Sequence, residues 1–423
     1  MANELAHDLM CTLWEETALT TGMKMALSRD LDKYAMGGES DSDRATDATN
    51  NQNDAGGSDR EYIPQEYRFE VQEGIESTDS DFQDLVDRMI PVNRGRAKRV
   101  LATIDAKGLR DPQRRAKVAQ GFARDIANAV DSDCYKKMIN EATMIVQNTG
   151  DFDFNQAIDA EVLMLNYGLG AYDKKLFMSN KDYAKVAKEL GQNQYYGDAG
   201  VPNDALTKAK IPDLATFSSM RSDYLVKLPA SSASGVTVNG AQEHTVSTYD
   251  TNDFYLDNRS MTLNLTGATA ANMPVGTKFT IAGVNFVHPE TREDTGELLT
   301  FTVITAVNGS PVVQPALVAT GPYRNASAQA ANSAAVTVLN IADSNPTLFY
   351  TPESTVLIPG RLPIPSDGAG VTPVDATTEQ GLPMRMTYWY DPHKETFNMK
   401  ALIFFDVQVV YPNQLGAILS NQT

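Results

Sequence analysis

The stretch DPQRRAKVAQGFARDIANAVDSDCYKKMINEATMIVQ, Asp111 to Gln147, reads as one long helix. Asp111 has an N-capping side chain, and Pro112 fits the first helical position, where a missing N–H costs nothing. Val118, Phe122, Ile126, Val130, Cys134, Met138, Ala142 and Val146 then recur at every fourth residue, flanked by Ala119, Ala123 and Ala127, with no internal proline. At about 1.5 Å per residue this helix is roughly 50 Å long, as long as a small domain is wide. Spacing by fours drifts around the axis and keeps no a/d heptad, which speaks against a coiled coil. Two readings stay open: a core helix of an ordinary α/β protein, or a spine that carries several substructures.

On the N-terminal side, residues 3–34 read as a helical arm, with Leu5, Leu9, Leu13, Met10 and Trp14 on one stripe and Met23, Ala26 and Leu27 on a second. Residues 37–60, GGESDSDRATDATNNQNDAGGSDR, are polar, glycine-rich and acidic, the composition of a mobile loop. Their spacing does not meet the calcium-loop pattern. Residues 61–108 alternate at Tyr67, Phe69 and Val71, carry a short predicted helix around Phe82 to Met89, and return to a strand at Ala97 to Ile104. A basic stripe follows, Arg94, Arg96, Lys98, Arg99 and Lys107, continuing onto the spine as Arg110, Arg114, Arg115, Lys117 and Arg124.

On the C-terminal side, residues 155–230 read as α/β, with helices at Ala157 to Leu165 and 182–190 and a short strand at 175–180. From about residue 231 the texture becomes all-β, with alternation at Val236 and Val238, Met261 to Leu265, Phe279 and Ile281, and Leu299 to Val303. Turn signals stand at Asn239-Gly240, Ala282-Gly283 and Asn308-Gly309. Two charged segments, His244 to Arg259 and His288 to Glu297, are expected to project as loops. After Asn340 the chain is α/β or irregular. It then ends in an unbroken alternation through Phe397, Met399, Ala401, Ile403, Phe405, Val407, Val409 and Tyr411. That strand, roughly 50 Å at about 3.3 Å per residue, matches the spine in length.

Composition excludes several functions. The net charge of −18 argues against a general nucleic-acid binder. Two distant cysteines, Cys11 and Cys134, form no metal motif and suit a reduced compartment. No basic leader or long apolar run indicates export or membrane insertion. His7, His244, His288 and His393 have no partner at metal or triad spacing. HExxH, GxSxG, Walker and GxGxxG motifs are missing, so no catalytic, cofactor or metal residue is expected.

The order of parts resembles the Hong Kong 97-type fold of tailed-bacteriophage major capsid proteins, an α+β architecture. The segments VTVNGAQ (236–242), LDNRSMTLNL (256–265), GTKFTIAGVNFV (276–287), AVTVLNIADSNPTLFY (335–350) and ARDIANAVD (123–131) make it similar to coat proteins of short-tailed Salmonella-type phages, which carry a telokin-like insertion domain. The resemblance implies an N-arm (1–35), an acidic loop and extended loop (36–110), the spine helix of a peripheral domain (111–149), an axial domain in two parts (150–230 and 341–375), an inserted β-barrel (231–340) and C-terminal strands of the peripheral domain (376–423). It implies a shell of pentamers and hexamers enclosing double-stranded DNA with little specific contact. A separate scaffolding protein, a portal protein at one vertex, assembly in the bacterial cytoplasm and a place in the virion follow from it, with no membrane partner.

It further implies a two-fold loop carrying His244, Asp250, Asp253, Asp257 and Arg259, and an intrasubunit loop carrying Glu290, Arg292, Glu293 and Asp294 that contacts the extended loop. For the basic stripe three readings remain open: pairing of Arg94, Arg96, Lys98, Arg99, Arg114 and Arg115 with Glu73, Glu76, Asp79 and Asp81 of neighbours, a solvated face, or contact with DNA. The competing reading of the whole chain is a non-viral α/β enzyme or surface-binding module with a β-barrel insertion.

Overall fold

A computed structural model describes residues 2–33, 60–69, 85–93, 97–105, 108, 110–192, 213–221, 226–250, 255–360, 372–378, 381–391, 393–394 and 396–422. The chain divides into two compact units, one within Met1–Glu61, Val92–Tyr135 and Val356–Gln408, the other within Tyr62–Pro91, Lys136–Thr355 and Val409–Thr423.

In the first unit the arm helix, Ala2–Lys24, buries Met10, Leu13, Trp14 and Ala18. Thr17 and Thr21 share that buried face because each hydroxyl donates to the carbonyl four residues back, at 2.7 Å. A short helix, Leu27–Asp30, follows. The first unit also holds most of the spine helix, which starts at Pro112 with Asp111 Oδ1 accepting from the Gln113 amide at 3.0 Å. Phe122, Ile126, Val130 and Cys134 of the fourfold stripe are buried. The long strand Thr396–Val409 organises the sheet, antiparallel to Ala97–Asp105 and to Pro383–Asp391, with Thr372–Thr377, Thr355–Pro359 and Asp32–Lys33 extending it. Its buried Met399, Ala401, Ile403, Phe405, Val407 and Val409 keep the period of two that the sequence shows.

The second unit is built on a sheet ordered Met144–Gln147, Leu415–Leu419, Thr347–Tyr350, Lys175–Met178, Phe217–Arg221 and Asp213–Leu214. The helices Phe154–Asn166 and Asn180–Gln192 belong to this unit. The first begins three residues before the apolar pattern does, because Asp153 and Gln156 form a reciprocal capping box. Between Leu228 and Ser344, whose backbones bond to each other, lies the insertion. Its five-stranded antiparallel sheet runs Met261–Thr262, Val312–Gln314, Asp294–Thr305, Lys278–Val287, Val336–Val338, with a second pair, Leu265–Thr266 on Thr237–Val238. Phe279 and Phe301 stack across it at 5.6 Å, over buried Ile281, Val303, Leu263 and Leu317.

Four expectations need correction. The spine helix stops at Glu141, and Met144–Gln147 is a strand parallel to Leu415–Leu419. The apolar period continues past the helix because a fully buried strand also presents apolar residues. Met89 opens a strand, Met89–Asn93, and Leu85–Arg88 have no regular structure; the rest of the short helix expected around Phe82 lies outside the described residues. Ala282-Gly283 is no turn between strands but a bulge within Lys278–Val287, where Gly283 takes φ +81° and the register shifts. Sheet membership also cuts the C-terminal region differently. Thr355–Pro359 and Thr372–Thr377 join the long strand, whereas Leu415–Leu419 joins the other sheet, because the Pro412–Gln414 turn redirects the chain. The acidic stretch 37–60 lies, except for Arg60, outside the described residues.

Candidate assembly interface

Among the described residues no cluster of three or more His, Cys, Asp or Glu is placed to hold a metal. No described helix is long and apolar enough to cross a membrane. What the second unit does contain is a polar joint where the insertion meets the end of the spine helix. The last carbonyls of any α-helix lack intrahelical donors. Here Lys278, 0 % exposed, donates its ammonium to the carbonyls of Ile139 and Ala142, each at 2.7 Å, to that of Asn140 at 3.4 Å, and to Thr302 Oγ1 at 3.1 Å. The Thr302 hydroxyl donates to Ala142 O at 2.6 Å, and that of Thr300 to Thr143 O. Burial pushes the Lys278 ammonium well below its ordinary value, with the charge of Glu141 opposing. Gly276 completes the joint: at φ +90° a Cβ there would stand 2.7 Å from Leu228 and 2.8 Å from Asn140 Oδ1.

The basic stripe turns partly inward. Lys98 pairs with Asp133 at 2.7 Å and Arg114 with Asp105 at 3.2 Å, both within the chain. Arg99 is exposed and Arg115 half-buried. Arg94, Arg96, Glu73, Glu76, Asp79 and Asp81 lie outside the described residues, as does Asp253.

The first insertion loop is closed at its base by Asn258, whose Oδ1 lies 3.1 Å from His244 Nε2 and whose Nδ2 donates to Ser247 O at 2.9 Å. Arg259, expected on that outward loop, is instead buried, donating to Asp257 Oδ2 at 2.7 Å and to the Val409 carbonyl. Asp250 sits half-buried beyond. Glu290, Glu293 and Asp294 are exposed on the hairpin, and Arg292 donates to Gly321 O at 3.2 Å. The hairpin stands beside the end of the Phe154–Asn166 helix, with Asn166 bonding Glu297 at 3.2 Å and Tyr167 stacked on Phe286 at 3.8 Å. In the described part of the extended loop, Asp87 N donates to Thr248 Oγ1 at 3.1 Å, and Tyr62 packs on Tyr255 at 5.0 Å.

Burial raises the Asp257 carboxyl, but hydrogen bonds and charge from Arg259 outweigh it and hold it below the usual carboxylate range. A folded-state value below the unfolded one stabilises above the unfolded value, about 3.9, and the gain is lost as pH falls through the folded value. Asp257→Asn is therefore expected to lower urea stability at neutral pH, and its difference from wild type to shrink as pH falls below about 4. A pH-independent difference contradicts this.

Sequence reasoning missed a second feature. The helix Phe154–Asn166 buries Ala157, Ala160 and Met164 but exposes Phe154, Ile158, Val162 and Leu165 at 38, 38, 48 and 47 %. Their spacing of four, four and three makes one continuous apolar ridge on a rigid, capped helix, and a lone soluble chain seldom shows such a surface.

Comparison with known proteins agrees with an assembling chain. Residues 32–420 match the family described as P22 coat protein, gene protein 5. The chain belongs to the P22 coat protein family. As a member it is a major capsid protein of a tailed bacteriophage with the Hong Kong 97-type α+β fold. It is a structural protein and not an enzyme, assembles with itself into a shell, and resides in the virion capsid. This coat protein is similar to a chain of Mycobacterium phage Che8, at 8 % identity and TM-score 0.45, over 93 % of this chain and 90 % of that one. It is similar also to the mature capsid of bacteriophage PhiM1, at 9 % identity and TM-score 0.44, over 87 and 84 %. A CUS-3 coat protein I-domain matches at 37 % identity and TM-score 0.22, over 26 % of this chain and 99 % of that one.

Proposed function

We propose that this coat protein forms the pentamers and hexamers of an icosahedral shell with help from a separate scaffolding protein. One vertex takes a portal protein, and the shell encloses double-stranded DNA with little specific contact. Assembly takes place in the cytoplasm of the bacterial host. The exposed ridge Phe154–Ile158–Val162–Leu165 supports this reading, since it offers apolar area suited to burial against another chain. In this reading residues 1–35 act as the arm, 36–110 as the acidic and extended loops, 150–230 with Thr347–Tyr350 and Leu415–Leu419 as the axial domain, and 231–340 as the outer insertion.

Arg94, Arg96, Arg99 and Arg115 pair with Glu73, Glu76, Asp79 and Asp81 of neighbours, and the loop with His244, Asp250 and Asp253 meets its symmetry mate. Such pairs are individually weak and act through their number in the shell. The charge of −18 supports light contact with DNA, because an acidic wall repels a polyanion. Purified protein mixed with the scaffolding partner should give closed, uniform shells by negative-stain microscopy. A protein that stays monomeric with that partner at every salt and concentration tried refutes the proposal.

A further inference from the structure

The second unit contains a solvent-open recess of about 610 Å³, within the range of binding sites. Its wall is basic in a chain whose net charge is −18. Arg68 and Arg88 enter from the two legs of the extended loop, Arg292 from the hairpin turn and Arg324 from the segment after Tyr323. Tyr323 is the centre. The Arg88 guanidinium lies 4.6 Å above its ring, and its hydroxyl accepts from the Arg68 amide at 3.5 Å. Arg324 is anchored on Ala326 O at 3.1 Å, and the Arg259 that also lines the wall is matched by Asp257.

The acidic groups of the wall are Glu66 and Glu290, two against four arginines once the Arg259–Asp257 pair is set aside. Like charges gathered in a half-buried space repel one another more strongly than in water. Burial lowers the Arg88 pKa, Tyr323 opposing and Arg68 adding to the fall. Its Nε–H is buried with no acceptor among the described residues. An arginine fork of this kind is shaped for the two oxygens of a carboxylate.

We propose that the recess receives the carboxylates of an acidic segment on a second copy of this chain. Each copy carries 54 acidic residues against 36 basic ones, so a neighbouring coat protein has carboxylates in excess to offer this basic wall. The occupant rests on the assembly reading, but the affinity of the wall for carboxylates does not, so the two can fail separately.

The test uses the full, unassembled chain and a dye-labelled hexaglutamate peptide followed by fluorescence anisotropy. Wild type is expected to bind it, and Arg68→Gln and Arg292→Gln, both half-buried positions checked for folding by circular dichroism, to bind about ten-fold more weakly each. The double variant R68E/R292E should also give fewer shells. Absent peptide binding, or equal binding by the variants, overturns the site. Binding of inorganic phosphate without binding of the peptide makes it a free-anion site and overturns the proposal. An unaltered shell yield from the double variant overturns the second copy as occupant.

Discussion

Replacing Lys278 with methionine is expected to lower the stability of the coat protein by about 3–4 kcal/mol, seen as a fall in the urea midpoint followed by circular dichroism. The side-chain volume is nearly kept, so little of this comes from packing. What is lost is the donor set. The carbonyls of Ile139 and Ala142 stay buried and that of Asn140 half-buried while their shared partner disappears, and each buried acceptor left without a donor costs about 1–3 kcal/mol. Thr302 still reaches Ala142 O, which limits the damage to the other two. Amide exchange should quicken in the last turn of the spine helix before it does in the strand Thr396–Val409. Unchanged stability, or exchange that quickens uniformly, rules out the capping role.

Replacing Asp131 with alanine is expected to release the arm. Its carboxylate, buried on the spine helix, accepts from the amides of Ala26 at 2.7 Å, Leu27 at 3.3 Å and Ser28 at 3.0 Å, and from the Ser28 hydroxyl at 2.6 Å. It thereby serves as the N-terminal cap of Leu27–Asp30, supplied from a helix more than a hundred positions away in sequence. Loss of all four bonds should cost about 3 kcal/mol, since they are charge-assisted and out of water. Limited trypsin treatment should then cut after Lys24 or Arg29 many times faster than in wild type. Asp131→Asn, which keeps one accepting oxygen, should fall between the two. Equal cleavage rates in all three proteins defeat the argument.

The long elements were readable because each follows one period. Every fourth residue from Phe122 to Met138, and every second from Met399 to Val409, leaves no competing assignment over that length. The ends were less readable, since Met144–Gln147 continues the apolar pattern of the helix in strand form. The joint at the helix terminus was hidden for a different reason. Lys278 and Thr302 are cross-strand partners, and Thr280 faces Thr300, so the hairpin shows an ordinary alternation with a polar face. Such a face normally meets water, and nothing local tells that it meets carbonyl oxygens instead. Arg259 misled in the same way, because a cation in a charged segment reads as solvated until its partners, Asp257 and the Val409 carbonyl, are seen. The ridge on Phe154–Asn166 was legible in principle, since Phe154, Ile158, Val162 and Leu165 oppose Ala157, Ala160 and Met164. A helix apolar on both sides has two candidate inner faces, and here the one with the smaller residues is buried.

The strand Leu415–Leu419 lies between Met144–Gln147 and Thr347–Tyr350, so an inner strand of that sheet is the last of its strands to be made. The hydrogen bond from Thr143 Oγ1 to Pro412 O beside it spans 269 positions. During translation each of the two flanking strands therefore waits with an open edge, while the insertion, whose described strand pairings lie within its own sequence, is free to finish early. The interval before closure is when such edges are open to pairing with other nascent chains. A polysome crowded with copies of one coat protein is a setting in which that interval matters.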